Sequence, residues 1–297
     1  MPPVRGAGGR PTVRSRRLGT ALRQYRQAAK LDQPQAAEVI ATSQARISRI
    51  ESGHATPRVI EVRLLLEAYG VTDPEIRVRL KELAKHPRKR GWWLQYATHL
   101  RPGYLDHIAL EDDASHIRQW QPVLIPGLLQ CAAYYEAVIK GGPTALCPDY
   151  IAQLIEVRKL RQERIAEGGV KFSAVIWEAV IEHPLATVET HREQILALLE
   201  AGERENVTVR VLPFGAGSLV AAANPFAAFS FDSESAVEAV TMEDLMSTSI
   251  IESPADLAVY ASSFDLLSSY ALTPEESAKL ILDKLQVIEE GKSWSQS

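Results

Sequence analysis

The sequence predicts two domains of different class: a mainly α N-terminal domain of five helices, and an α+β C-terminal domain with an antiparallel sheet. Three observations carry this. Apolar residues recur at helical spacing between 16 and 86, with capping signals between the runs. Beyond residue 115, β-branched and aromatic runs alternate with helical stretches. Charge divides in the same way: residues 1–90 hold 19 Lys and Arg against 8 Asp and Glu, a net of +11, whereas residues 91–297 hold 14 against 29, a net of −15. A chain of 297 residues is long enough to bury two cores.

Residues 1–15, rich in Pro, Gly and Arg, read as a disordered basic tail; a solvated tail is the plainer reading, contact with phosphates or the minor groove the other. The segment 16–86 is the first domain. A helix over 16–29 places Leu18, Ala21, Leu22, Tyr25 and Ala29 on one face. Asp32 caps a second, short helix, with Pro34 in its first turn and Gln35 at capping-box spacing. Its apolar face is small: Ala36, Ala37, Val39 and Ile40. After a tight turn, Ser43 caps a third helix in which Ile47 and Ile50 lie three apart on the buried side. Gln44, Ala45, Arg46, Ser48 and Arg49 then face outward. Gln and Arg match the donor and acceptor edges of adenine and guanine in the major groove. Periodicity alone fits a solvated helical hairpin equally well. Thr56 and Pro57 start a fourth helix that ends at Gly70, and Asp73-Pro74 starts a fifth that runs to about Lys85.

The segment 87–297 is the acidic second domain. HPRKRGWW (86–93) marks the boundary, with Trp92 and Trp93 anchoring the linker in the second core. Strands are predicted at 115–121, 171–177, 207–213, 226–231 and 236–242, with a further candidate at 247–251. About four of them form the antiparallel sheet. Helices are predicted at about 126–140, 149–166 and 188–204, and from Pro254 and Thr273-Pro274 onward. The loop 213–226 (PFGAGSLVAAANPF) is a candidate lid over a cleft, although most such loops are plain turns.

Catalytic chemistry has little support. Glu178, Glu182 and His183 follow one strand without the spacing of a zinc helix. His99, His107, His116 and His191 stand among solvent-type neighbours, and Glu111, Asp112 and Asp113 read as a helix N-terminus or a solvated face. No phosphate loop or nucleophile elbow is present. The expectation is a non-enzyme with no cofactor and no metal. Two cysteines, Cys131 and Cys147, with no secretory signal and no apolar run of membrane length, fit free thiols in a cytoplasmic protein with no membrane partner.

The segment 26–53 resembles the helix-turn-helix regulators of the phage-repressor (Xre) family. The carrying residues are Gln33 opening the first helix of the motif, Ala37 where the helices cross, Ile47 and Ile50 closing the core, and the run Ser48, Arg49, Ile50, Glu51, Ser52, Gly53. The resemblance implies a structural ion pair between Arg26 and Glu51. It also implies base contacts from Gln44, Ala45, Arg46 and Arg49, with Ser48 on the same DNA-facing side, and Gln33, Ser43 and nearby cations on phosphates of a double-stranded operator. A homodimer on two half-sites follows from the same resemblance. Ala41 stands where the family usually has Gly, and Ala36 replaces a bulkier residue.

The remainder resembles the DUF5753-type C-terminal domain of actinobacterial antitoxin-like and developmental regulators. The carrying segments are GWW (91–93), ALEDDASHIRQWQPVLIPGLLQCAAYY (109–135), VTVRVLPF (207–214) and LTPEESAKLI (272–281). This implies a transcription regulator whose second domain binds a small protein encoded nearby, or a ligand. An antitoxin-like interaction module of a two-gene system and a one-component small-molecule sensor are the alternatives.

Overall fold

A computed structural model describes residues 13–85, 91–142, 147–185, 187–221, 224–231, 236–244 and 247–290. The first twelve residues of the expected tail, the basic cluster at 86–90 and residues 222–223 of the loop lie outside the described residues. The chain divides into two compact units, Met1–Trp92 and Trp93–Ser297, so the division falls between the two tryptophans. Trp93 is buried and Trp92 half-buried.

In the first unit the helices are α1 (Val13–Ala28), α2 (Gln33–Val39), α3 (Gln44–Glu51), α4 (Val59–Ala68) and α5 (Pro74–Lys85). α1 begins at Val13, so the last three residues of the expected tail are helical. Asp32 and Gln35 form a reciprocal capping box on α2, satisfying two of the N–H groups that a helix start leaves open. Ser43 Oγ accepts from Arg46 N at 3.3 Å and caps α3. Between them Ala41 takes φ +50°, the left-handed turn that joins two helices too short to stand alone. Arg58, not Thr56, is the N-cap of α4: Glu61 Oε2 accepts from Arg58 N at 2.6 Å, and Thr56 and Pro57 stay outside the helix. Leu18, Leu22, Ala37, Ile47, Ile50, Leu65 and Leu80 share one core.

The second unit is built on a six-stranded sheet of order β3-β2-β1-β4-β5-β6. The strands are β1 (His116–Gln121), β2 (Lys171–Trp177), β3 (Val207–Leu212), β4 (Phe226–Ser230), β5 (Ala239–Glu243) and β6 (Thr248–Ile251). β1, β2 and β3 are mutually parallel, and β4, β5 and β6 continue antiparallel from β1. The sheet is therefore mixed, which corrects the antiparallel expectation. The cause is in the connections. α7 (Ala132–Lys140) and α8 (Pro148–Gln162) separate β1 from β2, while α9 (Glu178–Glu182) and α10 (Val188–Gly202) separate β2 from β3. Such crossovers return the chain in the same direction.

α6 (Pro102–Asp113) precedes β1 and was not expected. The helix expected over 126–140 is split: a 3-10 turn at Gly127–Leu129 comes first, and Cys131 then caps α7. α11 (Pro254–Tyr270) covers one sheet face, packing Leu257, Phe264 and Leu267 against Trp120, Val175, Phe226 and Val240. α12 (Pro274–Glu289) starts at a Thr273–Glu276 capping box. Helix therefore dominates the second unit as well as the first. Cys131 and Cys147 are both free thiols. No described helix is long and apolar enough to cross a membrane.

Candidate nucleic-acid interface

α3 turns Ile47, Ile50 and Glu51 inward, which leaves Gln44, Ala45, Ser48 and Arg49 exposed. These four lie at i, i+1, i+4 and i+5, one continuous strip along the helix. Two constraints hold α3 against its neighbours. Gly19 of α1 passes so close that an added Cβ would sit 2.3 Å from Ile50 O, so only glycine fits there. The second constraint is electrostatic. Arg26 Nε and Nη2 donate to Glu51 Oε1 and Oε2 at 2.6 and 3.0 Å, while Arg26 Nη1 donates to Leu31 O at 2.7 Å. Both residues are buried. The bond to Glu51 is the main reason that the guanidinium pKa rises further. Nearby, burial and the Glu51 charge push the Tyr69 hydroxyl up to about 12.

Gln33 Nε2 donates to Glu51 Oε2 at 3.0 Å, and Gln33 Oε1 accepts from Gln44 Nε2 at 3.5 Å. Gln33 thus bridges the buried pair to the exposed strip. Arg46 also has a partner within the unit. Its Nη2 donates to Glu61 Oε2 at 2.9 Å, and the side chain is 38% exposed. Burial alone would raise the Glu61 carboxyl pKa, but hydrogen bonds from Arg58 and the charge of Arg46 bring it below the ordinary value. Arg46 is therefore tied to Glu61 of α4, and Arg49 is the more exposed basic side chain of α3. Ser43 is occupied as the cap. Gly19 and the Glu61 anchor were missed in the sequence; the only signal was a glycine inside an otherwise regular helical run.

In the second unit the residues suspected of chemistry serve as ties. Glu178 Oε2 accepts from Phe214 N at 2.7 Å, Glu182 pairs with Lys284, and His183 N closes the end of α9 on Ala179 O. Among the described residues, no group of three or more His, Cys, Asp or Glu could hold a metal ion. The solvated reading of Glu111 and of three histidines is corrected, since Glu111, His107, His116 and His191 are all buried. Glu111 accepts from Arg161 Nε and Nη2, each at 2.6 Å, and meets His107 Nε2 at 3.0 Å. Burial opposes its ionisation, yet the charges of Arg161 and His107 hold the carboxyl well below the usual range. Asp112 and Asp113, at the C-terminal end of α6, are only half-buried. Burial, with Arg118 and Lys171 adding, lowers His116 to about 3.

Comparison with known proteins agrees with this division. A helix-turn-helix domain model matches residues 17–78, the span from α1 into α5. A second model, described as a domain of unknown function (DUF5753), matches residues 104–283, from α6 into α12. No curated protein and no solved structure matches the chain. With more than half of its length matched, the chain belongs to the DUF5753 family and carries a helix-turn-helix domain ahead of that region.

Proposed function

We propose that this protein is a sequence-specific DNA-binding transcription regulator of the Xre type, working in the cytoplasm as a homodimer on a two-half-site operator. The observation that carries the reading is the exposed strip Gln44, Ala45, Ser48 and Arg49, with Gln44 held by Gln33 and Gln33 by the buried Arg26–Glu51 pair. A carboxamide that already has an anchored neighbour starts from a restricted position, which favours specific readout. The +11 charge of residues 1–90 supplies the phosphate attraction, and the −15 remainder suits a different task. That task is to bind a small protein encoded nearby, or a ligand, and so tune DNA binding. The protein has no catalytic role in this reading.

A selection from fragmented genomic DNA with the full chain tests it. Enrichment of one sequence with two half-sites about one helical turn apart supports the reading. Enrichment of no sequence over bulk DNA contradicts it. A second reading makes the chain an antitoxin-like member of a two-gene system, in which the acidic unit chiefly holds a partner protein. Its support is that unit's charge, and co-expression with the adjacent small protein separates it from a ligand sensor. The resemblance to actinobacterial developmental regulators is compatible with both.

A further inference from the structure

A cavity of about 210 Å³ opens in the second unit, between α6 and the sheet. Its floor is a single row across three strands. Gln119 of β1 pairs with Ala227 of β4, which pairs in turn with Thr241 of β5. Paired positions project to the same face, so two polar side chains flank a methyl group and the hollow stands above it. Further along that face Gln121 and Glu243 extend the polar walls, while Leu124 and Pro225 add an apolar rim. His107 closes the side toward α6, its ring held between Thr241 Oγ1 at 2.8 Å and Glu111 Oε1 at 3.0 Å.

Gln119 is the informative residue. It is 8% exposed, and among the described residues its carboxamide has no hydrogen-bond partner. Its carboxamide atoms are not among the sealed, partnerless polar atoms of the interior, so they open into the cavity and can pair with what occupies it. The cavity has room for more than one water, and its polar floor offers partners that the donors and acceptors of a ligand would take over when they displace that water. The lining includes no Lys or Arg, and Glu243 stands at it, so an anion is disfavoured. Two carboxamides and a carboxylate offer both donors and acceptors for a planar amide or amino edge, and the rim suits ring faces.

We propose that this cavity binds a small uncharged heterocycle bearing an amide or amino edge, about the size of a nucleobase, with Gln119 as its principal recognition group. A role for this ligand as an effector rests on the regulator reading above; the binding itself does not.

The test uses the full chain in thermal unfolding with adenine, cytosine or nicotinamide, and with benzoate as the anionic counterpart. At least one neutral probe raises Tm by roughly 2–4 °C and benzoate does not. Gln119→Leu abolishes the shift while the variant still unfolds cooperatively. Ala227→Leu, which fills the hollow from its floor, also abolishes the shift. The proposal is overturned if no neutral probe shifts Tm, or if Gln119→Leu and Ala227→Leu keep the shift. Operator binding with and without the probe is read separately. A Tm shift with unchanged DNA affinity removes the effector role and leaves the site standing. Absence of specific DNA binding removes the regulator reading alone.

Discussion

Arg26 and Glu51, 25 residues apart, meet through two parallel hydrogen bonds of 2.6 and 3.0 Å in the interior of the first unit. The pair ties α1 to the last residue of α3, and Gln33 extends it to Gln44 on the exposed strip. The strip is thus positioned from the core.

Removing one partner leaves the other charge buried and uncompensated. Arg26→Met or Glu51→Gln is expected to cost about 3–5 kcal/mol. Because the two act as a unit, the double variant costs clearly less than the sum. Urea unfolding of the full chain, followed by a probe in the first unit, measures this. A coupling below about 0.5 kcal/mol contradicts the account.

Two backbone positions should respond in opposite directions. Gly19→Ala forces a methyl into Ile50 O and should destabilise by about 1–3 kcal/mol. Ala41→Gly relieves a left-handed residue at φ +50° and should stabilise by about 0.5–1 kcal/mol with operator affinity unchanged. Equal effects of the two variants would sink the packing argument.

His116 gives the second unit a pH dependence. Its folded pKa lies near 3, against an ordinary value of 6.5, so below pH 6.5 the unfolded chain takes up a proton that the folded chain refuses. The stabilisation is complete above that pH and is lost progressively as pH falls toward 3. His191 is lowered by burial in the same direction. Between about pH 6.5 and 5 the loss attributable to His116 should reach up to about 2 kcal/mol. His116→Gln should flatten Tm against pH over that range, and an unaltered slope argues against a buried neutral imidazole.

Much of the fold was legible because its signals are local. The Asp32–Gln35 and Thr273–Glu276 boxes, and the β-branched runs of β2 and β3, need only their own neighbours to be recognised. Strand direction is not local. Whether β1 and β2 run parallel depends on where α7 and α8 return the chain, and no residue in either strand records that. Burial of charge was misread for a related reason. Glu111 looks solvated beside Asp112 and Asp113, and only the approach of Arg161, 50 residues on, makes it a core residue. In the interface the outward face of α3 follows from periodicity. The withdrawal of Arg46 onto Glu61 does not, since that partner sits on another helix.

The most direct test of the central claim is operator binding by fluorescence anisotropy across a salt series. The full chain is compared with its Gln44→Ala, Arg49→Ala double variant on the selected duplex and on a scrambled one. The account predicts that wild type prefers the selected duplex by about 10³-fold or more, and that the variant keeps only salt-sensitive binding shared by both duplexes. If the variant retains the preference of the wild type, the exposed strip of α3 is not the reader and the account fails.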